Sequence, residues 1–219
     1  MVEYDAAFFA DIVAPGAIVA ARAILPDVLH QLGGRLTVID VGCGNGAWLS
    51  VAAANGCLVH GVDGYATPEV LLMGPQDFEQ ADLTNGYNCA GYDLAICLEV
   101  GEHLPESSAD ALVAGLCKAN YVLFGSAIPE QGGVGHVNEQ WQTWWAAKFE
   151  ANGYGGTVDF QQENWDNAEV EPYYLANPVL YARFEVLDRA DYRIGVRDVV
   201  HPRLWEYKIG ALKEAIRDR

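Results

Sequence analysis

Two short stretches and one further histidine carry the side chains best suited to chemistry. Glu99-Val100-Gly101-Glu102-His103 sets two carboxyl groups and an imidazole close together, and His136 follows Gly132-Gly133-Val134-Gly135. Two carboxylates and two imidazoles on neighbouring loops form a candidate site for a divalent cation such as Mg2+. Imidazole is also the side chain most readily tuned to take a hydroxyl or amine proton near pH 7. His136, His103 and Glu102 are therefore the catalytic candidates, and Glu99, Glu102, His103 and His136 the metal candidates. A hydrogen-bonded loop residue is the plainer reading of His103, and the glycines before His136 suit a mobile lid.

The second stretch is Asp40-Val41-Gly42-Cys43-Gly44-Asn45-Gly46. Alternate glycines let the backbone turn sharply and approach a ligand, and a following helix offers free N–H groups. A nucleoside triphosphate loop needs a Lys that this stretch lacks. A dinucleotide loop needs a third glycine, and position 47 holds Ala, which that motif tolerates, so this reading is weakened but stays open. Between Arg35 and Lys118 there is no Lys or Arg, while eleven acids run from Asp40 to Asp110. A pyrophosphate there would meet only backbone dipoles, whereas a cationic ligand would be well placed. Asp63 can accept both hydroxyls of a ribose and Asp82 can accept from an exocyclic amine, so the stretch suits an adenosine without phosphates.

These loops need a scaffold that brings them to one edge. Leu36–Val41, Leu58–Asp63, Phe78–Leu83, Tyr92–Leu98 and Tyr121–Ile128 read as strands. Val158–Gln162 and Val179–Phe184 read as two more. Between them, Ala47–Asn55, Pro105–Ala119 and Glu139–Ala151 read as helices, and Leu204–Arg217 as a terminal one. Residues 5–31 are helical in pattern, with breaks expected at Pro15-Gly16 and Pro26. The alternation predicts an α/β fold, a doubly wound, mostly parallel seven-stranded sheet with helices on both faces, whose ligands bind beyond the carboxyl ends of the strands. The expected organisation is an N-terminal helical segment (1–34), a central domain (35–185) and a C-terminal extension with its helix (186–219).

Composition excludes several classes. The chain has 219 residues, 51% hydrophobic and 20% charged, which fits a compact globule and not a disordered tail. A net charge of −17 counts against a nucleic-acid partner. The five cysteines include no C-x-x-C pair, so buried reduced thiols are expected. The first residues do not form a signal peptide and no apolar run is long enough to span a membrane, so a cytoplasmic protein with no membrane partner is expected. On the acceptor side, Trp141, Trp144 and Trp145 crowd one helix, with two expected in the core and one at the pocket. Tyr173 and Tyr174 add aromatic faces. Ten of the thirteen basic residues lie from Lys148 onward. Arg183, Arg189, Arg193, Arg197 and Arg203 either pair with the acidic body or bind an anionic acceptor.

The combination VIDVGCGNG (38–46), GVDG (61–64), Asp82-Leu83 and CLEVGEHLP (97–105) resembles the class I S-adenosylmethionine-dependent methyltransferases across roughly residues 35–185. Gly135–Gln140, Glu171–Arg183 and Asp198–Pro202 resemble bacterial and phage members with diverse acceptors. The resemblance implies a Rossmann-like methyltransferase fold and S-adenosylmethionine as methyl donor. It assigns Asp40, Gly42, Cys43, Gly44 and Gly46 to the methionine side, Asp63 and Gly64 to the ribose, and Asp82 and Leu83 to the adenine. Leu98 and Glu99 fall beneath the sulfonium. The Glu/Glu/His/His grouping is similar to the metal site of small-RNA 3′-terminal 2′-O-methyltransferases and ubiquinone-pathway O-methyltransferases. The expected activity is O-methylation of a small-molecule or glycan acceptor. RNA 2′-O-methylation, a noncatalytic donor-binding module and a nicotinamide oxidoreductase are the alternatives, and the terminal helix is a candidate homodimer contact.

Overall fold

The computed structural model describes residues 14–187 and 195–217. One seven-stranded sheet runs through it in the order β3-β2-β1-β4-β5-β7-β6. Strands β1 (Thr37–Val41), β2 (Leu58–Asp63), β3 (Phe78–Gln80), β4 (Leu94–Leu98) and β5 (Tyr121–Gly125) are parallel. β7 (Val179–Arg183) lies antiparallel to β5, and β6 (Tyr154–Thr157) antiparallel to β7. The strand order reverses between β1 and β4, and a crevice forms there at the carboxyl ends, as the alternating pattern predicts.

Helices cover both faces. α1 (Ala14–Gln31), α2 (Ala47–Ala54) and α6 (Pro172–Ala176) pack on one side, with Ile24, Leu25, Val28, Leu49 and Leu175 in that core. α3 (Ala109–Leu116) and α4 (Gln142–Ala151) pack on the other, with Leu112, Leu116, Trp145 and Phe149. α5 (Asp159–Asn164), α7 (Phe184–Leu187) and α8 (Pro202–Arg217) complete the order. Among the described residues, no helix is long and apolar enough to cross a membrane.

Several elements depart from the sequence expectation for physical reasons. α1 runs unbroken through Pro26. Proline removes one helical hydrogen bond, but the face carrying Ala20, Ala21, Ile24, Leu25 and Val28 is buried, and that burial outweighs the lost bond. Pro15 lies in the first turn, where its missing N–H costs nothing. The part of the expected helix before Ala14 lies outside the described residues. Val158–Gln162 is not a strand: β6 ends at Thr157 and α5 begins at Asp159. Gly155 and Gly156 hide β6 from a propensity reading. They are needed because a Cβ at Gly155 would lie 2.6 Å from Leu187 Cδ1, and one at Gly156 2.6 Å from Val179 Cγ1. β3 stops at Gln80, three residues early, and α4 starts three residues late, leaving Glu139 in a loop.

Candidate active site

The glycine loop is pinned to β2 before any ligand is considered. Gly42 and Cys43 donate their backbone N–H groups to the Val62 carbonyl at 2.7 and 3.1 Å. Gly42 has φ +86°, and a Cβ there would press on the Val100 side chain, so glycine is required twice over. Asp63, 8% exposed at the end of β2, organises the loops on both sides of it. One carboxylate oxygen accepts from Gly44 N at 2.9 Å, and the other accepts from Tyr65 N at 2.7 Å and Ala66 N at 2.8 Å. Asn45, not a candidate from sequence although it sits inside the motif, caps the first turn of α2 by accepting from Ala47 N at 3.2 Å.

These loops wall a cavity of about 1100 Å3. Of the cofactor candidates, Asp40, Gly42, Cys43, Gly44, Asp63 and Gly64 line it, as do Asp82, Leu83, Leu98 and Glu99. Gly46 does not. It packs against Met73 with φ +77° and forms the turn into α2. Asp82 accepts from Thr84 N at 2.9 Å, which holds its exposed carboxyl below the usual range. Burial, then the nearby Asp63 carboxylate, pushes the Asp40 carboxyl up. The volume exceeds that of most single-ligand pockets, leaving room for a donor and an acceptor together.

A second wall, which adjoins the glycine loop where Val100 meets Gly42, is assembled from distant parts of the chain. Glu99 leaves β4 with φ +56°, a strained conformation for a residue with a side chain. Its carboxyl accepts from Gln131 Nε2 at 3.2 Å and Asn177 Nδ2 at 3.3 Å, neither of them a site candidate from sequence. Glu102 is fully buried. Its Oε2 accepts from Ser126 Oγ at 2.8 Å, and the same carboxyl meets the Glu99 carboxyl and the Ala127 backbone N–H. Burial raises the pKa of both glutamates. The Glu102 backbone carbonyl accepts from Val137 N (2.8 Å) and Asn138 N (3.1 Å), and this tether brings the His136 loop over the β4 loop.

His103 and His136 meet edge to face, with ring centroids 4.9 Å apart. One ligating atom from each of Glu102, His103 and His136 lies within 4.8 Å of the others. Glu99 is outside that trio, its carboxyl held by Gln131 and Asn177, so the metal set expected from sequence shrinks to three residues. Burial, then the neighbouring imidazole, pushes His103 down to about 4, which keeps it neutral at pH 7. His103 also hydrogen-bonds the Gly135 backbone. His136 Nδ1 lies 2.9 Å from Glu139 Oε1, and Glu139 was not a candidate because its spacing read as the start of α4.

The aromatic expectations divide. Tyr173, Tyr174 and Trp48 line the cavity, whereas Trp141, Trp144 and Trp145 do not. Trp145 is buried against Phe124, Trp144 lies under the Lys148 ammonium, and Trp141 is on the surface. Arg203 reaches the cavity wall, but its guanidinium donates to the carbonyls of Asn167, Ala168 and Val170. It therefore neither pairs with an acid nor offers a free anion site. Arg183 stacks on Tyr154, Arg197 is exposed away from the cavity, and Arg189 and Arg193 lie outside the described residues.

A sequence family described as a methyltransferase domain matches residues 17–164. The chain belongs to the class I S-adenosylmethionine-dependent methyltransferases. The methyltransferase is similar in fold to magnesium protoporphyrin IX methyltransferase from Synechocystis PCC 6803, solved with bound SAH. The identity is 23%, over 77% of this chain and 83% of that one, with a TM-score of 0.54. It is also similar to DesVI of Streptomyces venezuelae, at 14% identity over 78% of this chain and 93% of that one, with a TM-score of 0.55. A search of curated proteins returns no match. The residues present fit the donor: a glycine cradle that a Cβ would fill, a buried carboxylate at the end of β2, and walls carrying no free cation among the described residues. When bound, S-adenosylmethionine supplies an electrophilic methyl group on a sulfonium centre.

Proposed function

We propose that this methyltransferase methylates a hydroxyl of a small-molecule or glycan acceptor, with His136 as the base that receives the hydroxyl proton. The observation that carries this reading is the meeting of His136, His103 and the buried Glu102 carboxyl on the cavity wall. The chain orients the donor through Asp63 and the loop that it braces. It excludes water with the apolar faces of Leu98, Val100 and Leu104, and it collects the acceptor proton at an imidazole. The lining carries six carboxyl groups, Asp40, Asp63, Asp82, Glu99, Glu102 and Glu171, and its one guanidinium is occupied by carbonyls. That charge speaks against RNA or any other polyanionic acceptor.

One further role of the trio follows from its donor set. In place of the base role, a buried carboxyl beside two imidazoles also fits a divalent cation, which Glu102, His103 and His136 would hold and which would lower the pKa of an acceptor hydroxyl. Calorimetric titration with S-adenosylhomocysteine, then with Mg2+ or Mn2+, tests both roles. Micromolar product binding is expected, followed by a metal heat that disappears in Glu102→Ala. Product binding with no metal heat removes the cation and leaves His136 alone as the base. No product binding overturns the assignment of the cavity.

A further inference from the structure

We infer that Glu139 is the positioning residue of the acceptor wall: it holds the proton of His136 on Nδ1 and so presents Nε2 to the cavity as an acceptor. The purpose of this arrangement rests on the proposed methyl transfer, but its geometry does not.

The His136 loop has a composition that favours many conformations. Gly132, Gly133 and Gly135 surround a single valine, and the segment is largely exposed. One carboxylate oxygen nevertheless gathers two contacts across it. Glu139 Oε1 accepts from Gly132 N at 2.7 Å and lies 2.9 Å from His136 Nδ1. Glu139 can reach both because it precedes α4 and its neighbours are tethered. Asn138 N donates to the Glu102 carbonyl at 3.1 Å, and Gln140 N donates to the Ala127 carbonyl at 3.1 Å.

An ionised carboxylate only accepts, so the facing nitrogen of a neutral imidazole must carry the hydrogen. The other nitrogen, Nε2, is then a lone pair. It sits over Gly133, where any Cβ would overlap the ring. Nε2 therefore lies close against position 133, and only a glycine leaves the ring that room. The same carboxylate acts indirectly on His103, whose ring hydrogen-bonds the backbone of Gly135 inside the loop that Glu139 closes. Both imidazoles are thus tethered through the loop, and one nitrogen of each lies within 4.8 Å of a Glu102 carboxyl oxygen. A carboxylate behind an imidazole suits that imidazole equally as a base and as a metal ligand. Glu139 does not touch the reacting atoms in either case.

The test reads the tautomer directly. The full chain, labelled with 15N-histidine, is examined by long-range 15N–1H correlation at about pH 8, where free imidazole is neutral, and His136→Gln assigns the signals. The wild type is expected to show His136 protonated at Nδ1 and bare at Nε2. Glu139→Gln keeps a carbonyl acceptor and should preserve that form. Glu139→Ala should move the population toward the Nε2–H form by about tenfold, the effect of one hydrogen bond. Glu139→Ser serves as the second variant if the alanine chain does not fold. A wild-type His136 protonated on Nε2, or a tautomer unmoved in the shortened variants, overturns the inference. S-adenosylhomocysteine binding is measured on the same samples. Its absence in the wild type would overturn the proposed methyl transfer, while the tautomer result would still decide the role of Glu139.

Discussion

The two walls of the cavity are built by different means. The donor wall is made by neighbours in sequence or by adjacent strands: Asp63 joins Gly44, Tyr65 and Ala66, and Gly42 and Cys43 bond to Val62. The acceptor wall is made by residues far apart in the chain. Asn177 reaches Glu99 across 78 positions, Gln131 reaches it across 32, and Ser126 reaches Glu102 across 24. A short strand–loop–strand unit can dictate the first. The second depends on the sheet having closed correctly, and it carries the strained Glu99 backbone and the buried Glu99–Glu102 carboxyl pair. Donor binding should therefore be robust to damage at the acceptor wall, and acceptor chemistry should be sensitive to packing well away from the cavity.

Asp63→Ala should have the largest effect. It removes the acceptor for three backbone N–H groups and the carboxylate that the proposed donor pose sets against the ribose. A charged hydrogen bond is worth roughly 1.5–3 kcal/mol, so S-adenosylhomocysteine affinity should fall by roughly 10- to 150-fold. The metal heat should persist, and its loss in the same variant would break the separation of the two walls. Gly101→Ala comes next. A Cβ there would lie 2.7 Å from Trp145 Cζ2 and 3.0 Å from Ser126 Oγ, beneath the acceptor wall. Overpacking of this kind costs about 1–3 kcal/mol, so the melting temperature should drop by several degrees, roughly 2–4 °C per kcal/mol at this size. Product affinity should change little, as isothermal titration of the folded variant would show.

The smallest effect concerns pH. Asp40 is buried beside Asp63, and its pKa is raised above the ordinary carboxyl value of about 4. A carboxyl whose pKa is raised on folding contributes stability below its unfolded pKa and loses that contribution as pH rises through the raised value. Asp40→Asn removes the loss. Scanning calorimetry without ligand should therefore show the variant gaining on the wild type between pH 5 and pH 8. An unchanged difference across that range would mean that the free protein holds Asp40 without penalty.

The difference between the walls also explains what was legible in the sequence. Gly42, Gly44, Asp63 and Asp82 sit at fixed offsets from hydrophobic strand runs, so a pattern places them on one edge. Glu102, His103 and His136 were recognisable as chemically apt, and the topology brings them together. Gln131 left no trace, and Glu139 and Asn177 lay in segments with a family resemblance but no assigned role, because their roles come from contacts that only the folded chain makes. β6 was invisible for a related reason: its two glycines answer to crowding from Leu187 and Val179, which no local propensity records. The three tryptophans misled because aromatic residues serve a core as readily as a pocket, and Trp145 is spent filling the space behind Gly101.

The tethers on either side of the His136 loop bear on how this enzyme could be redirected. Val137, Asn138 and Gln140 anchor one end to the Glu102 and Ala127 carbonyls, and Gln131 N bonds to the Ile128 carbonyl at the other. The exposed Gly133-Val134 pair lies between these anchors on the rim of the cavity. A Cβ at Gly133 would overlap the His136 ring, so only the Val134 side chain can change there without disturbing that imidazole. The molecule thus carries one exchangeable position at its entrance, where a small library could search for new acceptors on an otherwise constant machine.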